Sequence, residues 1–137
     1  MRVSEIWRYP VKSLQGERVD RAEVGPFGLL GDRAWSLVDA ETGLDLTARR
    51  IPELLFAAAR VVGREVVITL PDGSEADDDR ALSDWLGRPV ELRPAEAGAA
   101  GTFETQADET ETGRWFQWSG PTGSFHDSVQ LSLVSVD

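Results

Sequence analysis

Apolar and polar residues alternate over short stretches along most of the chain, which is the pattern of half-buried β-strands. Gly, Pro and Asp-containing turns separate these stretches, and Gly63-Arg64 has the length of a tight hairpin turn. The predicted strands are 3–9, 19–24, 33–39, 44–47, 57–62, 65–70, 90–93 and 129–136. The pattern therefore predicts a mainly β domain with an antiparallel, barrel-like sheet.

One segment, 78–86, has the features of a helix instead. Carboxylates stand at its start, Leu82, Trp85 and Leu86 fall at helical spacing, and Gly87 follows its end. The acidic run 77–79 also resembles a hard-cation site, but no second cluster accompanies it, so helix-start charge is the favoured interpretation. Pro52 predicts one further helical turn.

The region after Pro94 changes character. Residues 95–112 are small or acidic and offer little apolar area to offset the entropy of ordering, which predicts a long mobile loop. Three aromatic residues follow within four positions, Trp115, Phe116 and Trp118. The chain ends inside an apolar stretch, which suggests truncation of a longer protein and poor packing after about Gly120.

Composition limits the classes of function. The chain has 137 residues, enough for one domain with a core, and a formal net charge of −10, which argues against nucleic acid or an anionic membrane as partner. It has no cysteine, one histidine (His126) and no apolar run long enough to span a membrane. The start of the chain lacks an apolar signal core, so cytoplasm is the simplest compartment.

The candidate chemistry lies between Tyr9 and Arg50. Lys12 is the single lysine among fourteen basic residues, and Ser13 follows it after Pro10. A compact ammonium, a planar guanidinium and a hydroxyl suit a phosphate. On spacing alone, an ordinary surface turn is the better interpretation of Lys12 and Ser13.

Four sequence blocks, in this order, resemble the amino-terminal β-barrel domain of the MOSC superfamily. They are Tyr-Pro-Val-Lys-Ser, Gly-Leu-x-Gly-Asp-Arg-x-Trp, Val-Asp-x-x-Thr-Gly and Leu-Thr-Ala-Arg, within residues 3 to about 60. The superfamily includes mitochondrial amidoxime-reducing components, bacterial molybdenum-dependent reductases of N-hydroxylated compounds, and the carboxy-terminal half of molybdenum cofactor sulfurase. The resemblance divides the chain into this domain, 1–124, and the start of a truncated carboxy-terminal MOSC domain, 125–137.

The resemblance also implies a role. Lys12, Ser13 and Arg33, and more weakly Arg49, would bind the phosphate of a molybdenum cofactor (molybdopterin), while Asp32 would orient Arg33 or cap its loop. The metal's cysteine ligand would come from the missing domain in cis, so this chain would hold no catalytic or metal-ligating residue and would be inactive alone. An iron–sulfur or flavin partner would supply electrons, and a family term for pyridoxal phosphate binding accompanies the resemblance.

Two alternatives remain open at this point. One is a non-catalytic binding module whose contact surface is Trp115, Phe116 and Trp118. The other is an accessory domain of the cofactor-sulfurase kind.

Overall fold

The computed structural model describes residues 2–96, 99–106, 114–126 and 129–134. The helical elements are a 3-10 helix, Pro52–Phe56, and one α-helix, α1, Asp79–Leu86. The strands are β1 Ile6–Arg8, β2 Glu17–Val19, β3 Val24–Gly25, β4 Gly28–Leu29, β5 Trp35–Asp39, β6 Ala58–Val62, β7 Glu65–Thr69, β8 Glu75–Ala76, β9 Val90–Pro94, β10 Ala100–Gln106 and β11 Trp115–Thr122.

Every pair of named strands is antiparallel. The pairs are β1 with β2, β3 with β4, β5 with β9, β10 with β11, and β6–β7–β8 in one three-stranded sheet. Asp45 joins two of these pairs, because it bridges Val38 of β5 on one side and Phe103 of β10 on the other. The prediction of a mainly β, antiparallel, barrel-like domain is confirmed. Among the described residues the strands form several small sheets and not one closed barrel.

The core lies where the loop after β1 meets the central strands. Val11, Leu37, Leu54 and Ile68 are almost completely buried there, and Leu82 of α1 packs against the same cluster. These side chains come from elements far apart in sequence, so removing their apolar area from water holds the small sheets together.

The α-helix begins and ends as predicted. The Asp78 carboxylate accepts a hydrogen bond of 2.8 Å from the Ala81 amide, and Gly87 ends the helix with φ +65°. Asp79 accepts from the Leu92 amide on β9 at 2.9 Å. These contacts confirm that the acidic run serves the helix start. The described residues hold no group of three His, Cys, Asp or Glu side chains placed for a metal ion.

Two predictions about the second half of the chain are wrong. Ala100–Gln106, inside the predicted loop, forms β10 and pairs with β11, while 97–98 and 107–112 lie outside the described residues. Packing continues past Gly120, since Ser124 and His126 are buried. Only 129–134 fits the expected poor packing: Val129, Leu131, Leu133 and Val134 are exposed, and this stretch is not the predicted strand.

Three glycines allow backbone segments to approach closely near the end of the chain. A Cβ on Gly28 would clash with the Gln130 carbonyl oxygen, and one on Gly123 would meet the Phe27 ring at 2.8 Å. A Cβ on Gly120 would meet the His126 carbonyl at 2.5 Å. Gly123 and Gln130 therefore lie directly against Phe27 and Gly28. No helix in the described part of the chain has the length and apolarity to cross a membrane.

Candidate anion-binding cleft

A cleft of about 340 Å³ opens beside β10 and the turns at Lys12 and Thr47. Its lining comes from four separate stretches of sequence: Lys12, Ser13, Thr47, Ala48, Arg49, Phe103, Glu104, Thr105 and Trp118. Three of the four site residues predicted from sequence, Lys12, Ser13 and Arg49, therefore lie in one cleft.

Lys12 lies at the base of this cleft and is only 5% exposed. Its Nζ donates to the Phe125 carbonyl at 3.2 Å and lies 4.2 Å from the centroid of the Phe103 ring. A carbonyl dipole and an aromatic face both stabilise a desolvated ammonium. The prediction from spacing alone, an ordinary surface turn, is therefore wrong for Lys12.

Ser13 is held in an unusual backbone conformation. Its φ is +68°, in the left-handed region that costs a non-glycine residue roughly 1–3 kcal/mol. Its Oγ accepts a hydrogen bond of 3.1 Å from the Ala48 amide. Because that bond uses an oxygen lone pair, the hydroxyl proton of Ser13 is available for an acceptor in the cleft.

Thr47 and Arg49 also line the cleft. The Thr47 hydroxyl is buried and has no hydrogen-bond partner in the described part of the chain. Arg49 donates through one guanidinium nitrogen to Thr105 Oγ1 at 2.6 Å, which leaves its other N–H groups for a ligand. Sequence reasoning had not selected Thr47, although it belongs to the Leu-Thr-Ala-Arg block that supported the resemblance.

Arg33, the fourth predicted residue, is not part of the cleft lining. Its guanidinium donates to both Asp32 carboxylate oxygens, at 2.9 and 2.8 Å, and lies 4.5 Å from the Tyr9 ring centroid. Its φ of +47° is also left-handed. Asp32 therefore orients Arg33, as expected from the sequence.

Asp32 is the centre of a buried polar network. Its Oδ1 accepts from the Tyr9 amide at 2.6 Å, and its Oδ2 lies 3.1 Å from His126 Nε2, whose other ring nitrogen lies 2.8 Å from Ser124 Oγ. Burial by itself raises the pKa of Asp32, but the bonds from His126, Tyr9 and Arg33 outweigh burial and bring the pKa below its ordinary 3.8. The carboxylate is therefore ionised at neutral pH.

A second cleft, of about 290 Å³, has Asp45 in its lining. One Asp45 carboxylate oxygen is buried without a hydrogen-bond partner among the described residues. Burial raises the pKa of Asp45 above its ordinary 3.8, although hydrogen bonds with Ser36 and the Thr102 backbone and the nearby charges of Lys12 and Arg93 oppose this. Burial thus disfavours the charged form of this carboxyl group.

The fold and the site geometry therefore define a class of protein: a mainly β domain in which two turns with cationic side chains line one cleft. The family model for the MOSC N-terminal beta barrel domain matches residues 1–117. The chain belongs to this family.

The chain is also similar to named proteins over part of its length. It is 45% identical over 60 residues to mitochondrial amidoxime reducing component 2 of Bos taurus, covering 41% of this chain and 18% of that protein. With component 2 of Homo sapiens it is 38% identical over 74 residues, covering 51% of this chain and 22% of that protein. With mitochondrial amidoxime-reducing component 1 of Homo sapiens it is 34% identical over 71 residues, covering 49% of this chain and 21% of that protein. The matches thus span about a fifth of these relatives' length.

Proposed function

We propose that this chain forms part of the molybdenum-cofactor site of an oxidoreductase and that its cleft binds the cofactor's phosphate. The observation that carries the proposal is the convergence of Lys12, Ser13 and Arg49 with the buried hydroxyl of Thr47, which has no hydrogen-bond partner among the described residues. Membership of the MOSC N-terminal family and similarity to amidoxime reducing components support the same assignment.

The donor set fits a phosphate. The cleft offers an ammonium, a guanidinium and the Ser13 hydroxyl, with the buried Thr47 hydroxyl next to them, and charge-assisted hydrogen bonds to phosphate oxygens are strong. Glu104 also lines the cleft, but Arg50 binds its carboxylate at 2.8 Å and offsets its charge. The four donors would hold and orient the ligand by its anionic end, while redox chemistry at the metal would be supplied by the cofactor itself.

The rest of the site would lie outside this chain. The chain contains no cysteine, so a thiolate ligand for the metal would come from a carboxy-terminal MOSC domain. An iron–sulfur or flavin protein would deliver electrons, and substrates would be N-hydroxylated compounds, in keeping with the relatives' names. These partners and substrates, and the cytoplasmic location, are expectations of the proposal.

Calorimetric titration of the chain with inorganic phosphate tests the cleft. Lys12→Met and Arg49→Ala should each weaken binding about tenfold or more, the effect expected for one charge-assisted hydrogen bond. Thr47→Val should also weaken binding, yet leave thermal stability unchanged or raised, because the hydroxyl it removes is buried without a partner.

Arg64 provides the matched control for Arg49. It is exposed in the turn between β6 and β7 and does not line the cleft, so Arg64→Ala should bind phosphate like the parent chain. Parent-like binding by both Lys12→Met and Arg49→Ala would overturn the proposal.

Cofactor loading gives a second test, in a protein that joins this chain to a cysteine-bearing MOSC domain. Replacing Lys12 and Arg33 together with Ala should lower molybdenum content while the domain stays folded. Because Arg33 also pairs with Asp32, the double variant Lys12→Met with Arg49→Ala separates loss of ligand contact from loss of that ion pair.

The binding-module alternative has one observation in its favour. Phe116 and Trp118 are 41% and 48% exposed, whereas Arg50 covers the Trp115 ring at 4.3 Å. Trp118 also lines the cleft, so its exposure is equally consistent with contact to a bound ligand. Phosphate binding that is unaffected by the cleft variants would favour the module, and cofactor binding without reductase activity would favour the sulfurase-like accessory domain.

A further inference from the structure

The single histidine of the chain joins two segments that are far apart in sequence. His126 is 5% exposed, and the sequence separation to its partner Asp32 is 94 residues. The cleft lining described above does not include it. Its role in the cleft is therefore indirect, through what it holds in place.

Residues 124–126, here called the 124–126 segment, are fixed at each position. Ser124 Oγ lies 2.8 Å from His126 Nδ1, the Phe125 amide donates to the Arg33 carbonyl at 2.9 Å, and His126 Nε2 lies 3.1 Å from Asp32. An ionised carboxylate can only accept, so Nε2 carries the proton of this bond. In the neutral ring, Nδ1 then accepts the Ser124 hydroxyl proton.

The middle residue of this segment contacts the cleft. The Phe125 carbonyl accepts from Lys12 Nζ at 3.2 Å, a contact between residues 113 positions apart. Turning the peptide group between Phe125 and His126 would displace the His126 ring from Asp32. The carbonyl's direction is therefore coupled to the buried Ser124–His126–Asp32 network.

We propose that His126 is a positioning residue for Lys12: through Asp32 and Ser124 it fixes the Phe125 carbonyl, which in turn fixes the Lys12 ammonium at the base of the cleft. These contacts hold Lys12 in place in the ligand-free chain. The consequence for phosphate rests on the proposed function, since a fixed ammonium meets an anion without the cost of ordering its side chain.

The sequence makes the test direct, because Lys12 is the only lysine and its side-chain NMR resonances have no overlap from another lysine. His126→Phe keeps a ring and removes both polar contacts, whereas His126→Gln retains a donor that can reach Asp32. Ser124→Ala removes one contact with less risk to folding. Ser83→Ala is the control for loss of a serine contact elsewhere. The Ser83 hydroxyl is partly buried and accepts a hydrogen bond of 3.0 Å from the Val90 amide.

The variants are compared by the Lys12 Cε and Nζ shifts without ligand, by phosphate affinity and by melting temperature. We expect His126→Phe to shift the Lys12 resonances and to weaken phosphate binding about tenfold. His126→Gln should recover part of both effects, Ser124→Ala should show a smaller change of the same sign, and Ser83→Ala should lower only the melting temperature.

Two outcomes separate this proposal from the proposed function. If His126→Phe and Ser124→Ala lower the melting temperature but leave the Lys12 resonances as in the parent chain, the network only stabilises the fold and the positioning role is overturned. If the Lys12 resonances shift as expected while the parent chain itself fails to bind phosphate, the positioning role stands and the proposed function fails.

Discussion

Two described non-glycine residues have left-handed backbone, and both were site candidates from sequence. Ser13 and Arg33 have φ values of +68° and +47°. Each conformation costs stability, so each must be held by its surroundings: the Ala48 amide contacts Ser13, and Asp32 and Tyr9 contact Arg33. Backbone strain of this kind is frequent at functional sites, so the backbone conformation marks both residues as functional candidates independently of their side-chain chemistry.

Ser13 allows strain and function to be separated. Ser13→Gly removes the hydroxyl but suits positive φ, so the lost bond to Ala48, worth about 1 kcal/mol, is offset by relieved strain. Ser13→Ala removes the same hydroxyl and keeps the strain. We expect the Ala variant to unfold at lower denaturant concentration than the Gly variant, and both to bind phosphate more weakly than the parent chain.

The two readouts test different parts of this account. Equal stability of the Ala and Gly variants would contradict strain at Ser13. If both variants bind phosphate as tightly as the parent chain, the Ser13 hydroxyl does not contact the ligand.

Residue types, but not their surroundings, were predictable. Lys12, Ser13 and Arg49 could be selected from their chemistry and their blocks, and the structure brings them to one cleft. The burial of Lys12 could not be predicted, because it depends on Phe103 and Phe125, about a hundred residues further along the chain. Thr47 was missed because its relevance lies in a buried hydroxyl that has no partner in the described part of the chain, which a sequence does not show.

At the scale of elements, prediction succeeded where local physics decides. The helix α1 has its own N-cap and glycine stop, and the hairpin of β6 and β7 has a two-residue turn with Gly63 at φ +65°. The strand β10 was missed because Phe103 is its single large apolar residue. Its order comes from pairing with β11 and from the bridge to Asp45, which are tertiary effects.

The contact of the chain's end with β4 provides an element-scale prediction. Gly28 and Gly43 both have positive φ, +95° and +73°, so alanine at either position strains the backbone. Of these two positions, only Gly28 would place the new Cβ against a backbone atom, the Gln130 carbonyl oxygen, whereas Gly43 has open space. Gly28→Ala should therefore destabilise the chain more than Gly43→Ala, by about 1 kcal/mol or more.

Chemical denaturation of the two variants measures this difference, and amide hydrogen exchange locates it. Faster exchange of the amides in the 124–126 segment is expected for Gly28→Ala alone. Equal unfolding free energies of the two variants would show that Gln130 does not pack against Gly28 of β4 in solution.

At the scale of the whole molecule, acidic residues dominate, with a formal net charge of −10. The partly buried Arg33 guanidinium pairs with the buried Asp32 carboxylate, and the buried Lys12 ammonium lies near the buried Asp45 side chain. A single sequence shows the excess of charge but not this pairing. The two carboxylates nevertheless have opposite pKa shifts, and their effects on stability must therefore differ in sign.

Asp32 has a folded-state pKa below the 3.8 of an unperturbed side chain, so between those values the unfolded chain binds more protons. Its contribution to stability is complete above the unfolded pKa and is lost as pH falls through the folded one. Asp32→Asn should therefore be less stable than the parent chain at neutral pH, by about 1–3 kcal/mol for the lost charged hydrogen bonds. The difference should shrink as the solution is made strongly acidic.

Asp45 has a folded-state pKa above 3.8, so in that interval the folded chain binds more protons and stability falls as pH rises. The destabilisation is complete above the folded pKa and absent below the unfolded one. Asp45→Asn should thus match the parent chain in strong acid and gain stability towards neutral pH, on the order of 1 kcal/mol for each unit of pKa shift. Urea unfolding from pH 3 to 7 measures both variants against the parent chain. Differences with the same sign of slope for both would contradict the opposite electrostatic roles of the two carboxylates.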